Sequence, residues 1–366
     1  MDWNTLIRPE IAPMVPYAPG LRASEVRERS GRSLIRKLSS NESSYGPYPA
    51  AVAGMTAVLP HLNRYPDGAA RALKRRLSEH LGVEERYLAI TNGSNELLSL
   101  IAQAVLDPGD EVVFAWPSFV VYPMCTAVMG ATPVKVPLTD AHVHDLPAML
   151  EAITEHTKLV FLCNPNNPTG TVVDRDAVDD FLARVPDTCL VVFDEAYREF
   201  VTDPRCPDGL DLLVDHANVA VFRTFSKAYG LAAMRVGYGI ARPDVIAALR
   251  KVRVPFGVNG LAQVAAVASL AADDDMRARV DEVIAERSRV QDAITALGIE
   301  CAPSDANFVW LPLGEHAAVF GQYCERAGVV VRPFAGVGVR VTIGARAEND
   351  RFLRVLAAAL EDGAAG

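Results

Sequence analysis

Lys227 stands three residues past an apolar run, VAVFRT at 219–224, in a chain with six lysines against thirty arginines. The other five, Lys37, Lys74, Lys135, Lys158 and Lys251, sit in basic or amphipathic settings or at strand edges, where a solvated charge is the simple reading. A lysine taken out of water has a lowered pKa and becomes a nucleophile toward aldehydes. Ser226 and Arg235 add a hydroxyl and a guanidinium nearby, both suited to phosphate. Asp194 closes a second apolar run, LVVFD at 190–194, with Tyr197 just beyond. A carboxylate there is costly unless paired; a protonated ring nitrogen is one partner, and capping the next turn is another use. After YLAIT (87–91), Gly93-Ser94-Asn95 opens a helix whose free N–H groups suit an anion, or form a plain cap. After KLVFLC (158–163), the run NPNNPTG (164–170) has two X-Pro bonds and a glycine. It either holds an Asn amide rigidly or merely turns the chain.

These residues need a frame that brings them together. Seven short runs rich in Val, Ile and Phe are strand candidates: 87–91, 111–115, 132–137, 158–163, 190–194, 219–224 and 236–240. Most are apolar on both faces, as in strands covered by helices on both sides. Helical segments at 68–81, 95–105 and 176–185 lie between them. The alternation predicts an α/β fold with a large, doubly wound, mostly parallel sheet. The last two runs are only about a dozen residues apart, which allows one antiparallel strand. Ligands of open α/β sheets bind at the carboxyl ends of the strands. Four strand ends therefore converge on an anion site, an Asn, an Asp–Tyr pair and a reactive lysine. Pyridoxal 5'-phosphate (PLP) needs that set: a Schiff-base lysine, a carboxylate for the pyridinium nitrogen, donors to O3′ and a phosphate cradle.

The flanks differ in texture. Pro9, Pro13, Pro16 and Pro19 make the beginning an extended arm, of a kind that lies on another surface. A charged helix over 273–298 and the short strands of ANFVWLP, VVVRPF and GVRVTIGA predict a second, smaller α+β domain. The division expected is 1–45 for the arm and part of the small domain, 46–260 for the large PLP-binding domain, and 261–366 for the small domain.

A net charge of −9 argues against a nucleic-acid partner. The longest nearly apolar stretch, 261–272, is too short for a bilayer, which takes about 20 residues. No secretory leader is evident, and the six scattered cysteines read as buried thiols, so a cytoplasmic protein is expected. His142 and His144 lack the partners of a metal site. No GxGxxG follows the first strand, against a nucleotide-binding dehydrogenase, and no basic helix-turn-helix supports a transcription regulator.

In NESSYGP (41–47), NRYPDG (63–68), NGSNE (92–96), NPNNPTG (164–170), DEAY (194–197), TFSKAYGLAAMR (224–235), ANFVWLP (306–312), and VRP with GVRVTIG near the end, the chain resembles the fold-type I PLP aminotransferases. The resemblance is to their histidinol-phosphate and aromatic amino-acid branch, and it runs from about residue 40 to 346 in the family's order. It implies that Lys227 carries the cofactor and moves the proton between Cα and C4′. Asp194 would face the pyridinium nitrogen. Asn167 and Tyr197 would donate to O3′. Ser94, the backbone at Gly93 and Asn95, Thr224, Ser226 and Arg235 would hold the phosphate. Phe119 would stack on the ring, with Trp116 and Tyr122 as rivals. Tyr65 would cross to the phosphate of a second subunit, which implies a homodimer with shared active sites. Arg340 would bind the substrate carboxylate, with Arg332, Tyr17 and Asn41 on the substrate side. The family usually has glycine two residues before the phosphate arginine, where this chain has Ala233; cofactor binding is expected to survive that methyl. Amino acid and 2-oxo acid substrates follow. The runs AWPSFVVYP and VPFG lean toward phenylalanine as donor and 2-oxoglutarate as acceptor. Histidinol-phosphate transamination is the alternative, followed by decarboxylation of a phosphorylated amino acid.

Overall fold

The computed structural model describes residues 6–18 and 20–365, so Pro19 of the arm lies outside the described residues. β1 (Arg36–Lys37) precedes the central sheet. That sheet holds β2 (Leu88–Thr91), β3 (Glu111–Trp116), β4 (Thr132–Pro137), β5 (Thr157–Cys163), β6 (Leu190–Asp194), β7 (Val219–Thr224) and β8 (Gly237–Ala241). Their spatial order is β2-β8-β7-β6-β5-β3-β4. β3 to β7 pair in parallel, while β8 is antiparallel to both β2 and β7. The reason is local: a parallel return needs a crossover of a dozen or more residues, usually a helix. The link between β7 and β8, residues 225–236, is spent on the Lys227 loop and the 3₁₀ turn Ala232–Met234, with no crossover helix. That loop, with Lys227 and Arg235, is therefore held at the carboxyl edge of β7.

Alternation along each strand feeds two cores. Val191 and Phe193 of β6 pack with Leu73, Val178 and Ala266 on one side of the sheet. Val192 packs with Leu97, Tyr122 and Ile246 on the other. Strands buried on both faces leave only their ends for polar chemistry.

Beyond the sheet come the 24-residue helix Asp273–Ala296 and four more strands. These are β9 (Phe308–Leu311), β10 (Val329–Val330), β11 (Arg332–Phe334) and β12 (Gly338–Thr342). β11, β12 and β9 form an antiparallel sheet, and β10 pairs in parallel with β1 from the beginning of the chain. Leu38, just after β1, joins a third core with Phe320, Val341 and Phe352. This part docks on the central sheet through Asp305, whose N–H donates to Gly170 O at 2.8 Å. Buried Arg287 adds bonds to Phe200 O at 2.9 Å and Ala306 O at 3.0 Å.

Candidate active site

A cleft of about 300 Å³ opens where the carboxyl ends of β5, β6 and β7 face β12. Its lining brings together Tyr17, Asn41, Ser94, Asn95, Phe119, Asn167, Asp194, Tyr197, Thr224, Ser226, Lys227, Arg235, Arg332 and Arg340, residues spread over more than three hundred positions. Two expected residues are not on this lining: Gly93 and Tyr65.

Asp194 is buried, and burial pushes its carboxyl up to about 6, although Tyr122 pulls it down. Oδ2 accepts from the Tyr122 hydroxyl at 2.9 Å. Oδ1 is buried with no partner among the described residues. An unpaired carboxylate oxygen in a desolvated site is a sustained cost unless a cation meets it.

Lys227 Nζ lies 3.4 Å from Ser40 O and 5.8 Å from the centre of the Tyr197 ring. Burial, reinforced by the cations Arg340 and Arg235, brings its ammonium down to about 7. A neutral amine is thus available near neutral pH.

The Tyr197 hydroxyl accepts from Asn41 Nδ2 at 2.9 Å, which leaves its own proton free to donate. Burial pushes that phenol up, so it stays a neutral donor. Asn41, expected on the substrate side, is itself held by Thr342 Oγ1, which accepts the Asn41 N–H at 2.9 Å. The Asn167 side-chain oxygen is taken by Arg340, so its amide nitrogen is what remains for the cleft.

Arg340 also donates to Ser39 O at 2.7 Å, while its Nε is buried without a partner among the described residues. Burial lowers the guanidinium to about 10. Arg332 sits directly opposite Arg340 across β11 and β12. Like charges facing each other across a strand pair are unfavourable alone and favour an anion between them. Arg332 also donates to Ala18 O at 3.1 Å and lies 5.9 Å from the Tyr17 ring, which brings the arm to the rim.

The candidate anion cradle lies at the start of the helix Ser94–Val105. Gly93 has φ +79°, and a Cβ there would lie 2.8 Å from Arg235 Nη2. Its N–H donates to Thr91 O. The Gly93 N–H is thus engaged within the turn, and the missing side chain leaves room for Arg235. Arg235 Nη1 reaches Ser226 Oγ at 3.4 Å and Ala232 O at 2.8 Å. Ala233, the departure noted in the sequence, is exposed and does not line the cleft.

Of the three aromatic rivals, Phe119 lines the cleft, whereas Tyr122 lies under Asp194, stacked on Phe161 with ring centres 4.6 Å apart. Trp116 packs beside Lys135. The sequence reading missed the Tyr122 bond to Asp194. The signal was its three-residue spacing from Phe119 at a helix start, which puts both on one face. It also missed Glu195, whose carboxylate pairs with buried Arg223 at 2.7 Å and anchors the segment carrying Asp194 and Tyr197. Tyr65 is 83% exposed, stacked on Phe256. Among the described residues no group of His, Cys, Asp and Glu could hold a metal, and no helix is long and apolar enough to cross a membrane.

The family model for aminotransferase class I and II matches residues 35–362. Proteins named aromatic amino acid aminotransferase from Streptomyces coelicolor and Thermobifida fusca are each 51% identical over 349 residues, 95% of this chain and 96% of the relative. The solved histidinol-phosphate aminotransferase of Sinorhizobium meliloti in complex with pyridoxal-5'-phosphate is 28% identical, with a TM-score of 0.89 over 97% of this chain and 98% of that one.

Proposed function

Because the chain belongs to the class I and II aminotransferases, which use pyridoxal phosphate, we propose that it moves the amino group of an aromatic amino acid, phenylalanine foremost, to 2-oxoglutarate. The observation that carries the cofactor assignment to these residues is the orphaned Asp194 Oδ1 in the same cleft as Lys227. When bound, the cofactor supplies an electron-poor ring that accepts the charge left as the substrate Cα loses its proton. The aromatic substrate is supported by the names of the relatives at 51% identity.

In this reading Asp194 keeps the ring nitrogen protonated. Asn167 and Tyr197 donate to O3′, and Phe119 stacks on the ring. The free N–H groups at Ser94 and Asn95, with Thr224, Ser226 and Arg235, hold the phosphate. Arg340 grips the substrate carboxylate, with Arg332 and Tyr17 closing that side and Asn41 holding Tyr197. Lys227 would hold the cofactor through its amine, and that amine, neutral near neutral pH, would serve as the base that takes and returns the substrate Cα proton.

Histidinol phosphate is the second donor to weigh, favoured by the close fold match to an enzyme named for it. We further infer a homodimer with shared sites. Exposed Tyr65 stacks on exposed Phe256 and lines one groove with exposed Leu62, apolar surface that suits a second copy. We propose the division 1–45, 46–260 and 261–366 with one amendment: the β1–β10 pairing and the third core support a small domain built from both ends of the chain, but the helix Gly260–Leu270 sends Ala262, Ala265 and Ala266 into the core of the central sheet and so belongs with the large domain. A cytoplasmic location is in keeping with six free cysteines.

Single half-reactions test the function. The protein with PLP is scanned for absorbance before and after L-phenylalanine, L-histidinol phosphate or L-glutamate. Bleaching of the yellow band by phenylalanine and glutamate is expected. Much faster bleaching by histidinol phosphate moves the substrate to the second reading, and no yellow band removes the role of Lys227.

A further inference from the structure

We propose that Tyr122 is a positioning residue for Asp194: its hydroxyl fixes one carboxylate oxygen, keeps the carboxyl ionised and turns the other oxygen to the cleft. The inference rests on the cofactor reading above for its catalytic consequence, but not for its electrostatics.

Three observations carry it. The Tyr122 hydroxyl donates to Asp194 Oδ2 at 2.9 Å, while Oδ1 has no partner among the described residues. The Tyr122 ring is fully buried and cannot swing away: it lies on Phe161 at 4.6 Å with an 11° tilt, against Phe114 at 5.9 Å, and edge-on to Phe119 at 5.7 Å. It also stays protonated, and therefore a donor, because burial and the charge of Asp194 push the phenol well above its ordinary range.

The groups facing Asp194 are few. Cys163 of β5 lies beside it with its thiol directed to Pro165 O, 3.4 Å away. Lys227 favours its charged form from the loop after β7, Glu195 disfavours it from the next position, and the Ala196 N–H assists. Tyr197 is near, but its hydroxyl is engaged with Asn41. Tyr122 is the largest influence opposing the desolvation of this carboxyl. A hydrogen bond to a buried charge typically stabilises it tenfold to a hundredfold over the protonated form.

The test replaces only the hydroxyl, with Tyr122→Phe in the full-length chain. The Asp194 carboxyl is titrated by ¹³C NMR without cofactor, and PLP affinity is then measured against pH. The carboxyl midpoint should rise by about one to two pH units and PLP should bind roughly ten- to a hundredfold more weakly at neutral pH. In an Asp194→Asn background the same substitution should change PLP affinity by less than about twofold. 3-Fluorotyrosine incorporated at position 122, a more acidic phenol of nearly the same shape, should move the midpoint downward. An unmoved midpoint overturns the proposal, as does an equal loss of affinity in the Asp194→Asn background, which marks mere packing. A wild-type chain that forms no yellow band with PLP defeats the cofactor reading instead, and the carboxyl titration still decides the role of Tyr122.

Discussion

Arg340 on β12 donates a hydrogen bond to the side-chain oxygen of Asn167, on the loop after β5. One bond thus couples the three-stranded sheet to the seven-stranded one, and the group proposed to grip substrate to the group proposed to touch cofactor. It also settles which end of Asn167 faces the cleft.

Arg340→Lys keeps a charge but removes the planar fork that reaches Asn167 and Ser39 together. The expected result is a fall in kcat/KM of roughly 10–100-fold, mostly through KM for the amino donor, with the cofactor absorbance band retained. Steady-state kinetics with phenylalanine check this. An unchanged KM would remove Arg340 from carboxylate binding.

Asp194→Ala leaves the ring nitrogen without its counter-charge, at a cost of roughly 3–5 kcal/mol for a buried cation stripped of its partner. Turnover should nearly vanish while the chain still folds. Activity like that of the wild type would end the assignment of this residue.

If Tyr65 completes the neighbour's site, chains carrying Tyr65→Ala and chains carrying Lys227→Ala are each inactive but complement each other. Mixed by unfolding and refolding, random pairing should restore about a quarter of wild-type activity, since half the dimers are hybrids with one whole site of two. No recovery in mixtures shown to contain hybrids would place Tyr65 outside the shared site.

His144 is buried, neither ring nitrogen is bonded among the described residues, and burial lowers it to about 4. A histidine depressed in the folded state stays neutral while the unfolded chain takes up a proton near pH 6.5. Stability is therefore lost as pH falls from about 6.5 toward 4, by on the order of 2–4 kcal/mol from this residue. Urea unfolding at pH 7.5 and 4.5 should show a smaller pH dependence in His144→Gln than in the wild type. Equal pH dependence in both would clear His144 of the effect.

The strands, the doubly wound class and most of the cleft were legible in the sequence because each is a local signal. A strand covered on both faces must be apolar throughout, and a polar residue at its end then stands out, as Asp194 and Lys227 do. The antiparallel turn of β8 was foreshadowed by the short span after β7. The mutual arrangement of polar groups was not legible. Tyr122 reads as one more aromatic until the fold sets its hydroxyl under Asp194, 72 positions away. Glu195 and Arg223 read as two ordinary charges until burial forces them to pair. Gly93 suggested a backbone donor, yet only the approach of Arg235 shows why a side chain is excluded there.

What the sequence determined by itself is which residue types stand at which strand ends, since periodicity and chain order place those without knowledge of neighbours. What only the tertiary structure decided is which oxygen of Asp194 stays free, which end of Asn167 faces inward and which proton Tyr197 can give. Those depend on partners separated by 72, 173 and 156 positions, and hydrogen bonds are allotted by distance in space, where a linear pattern carries no register.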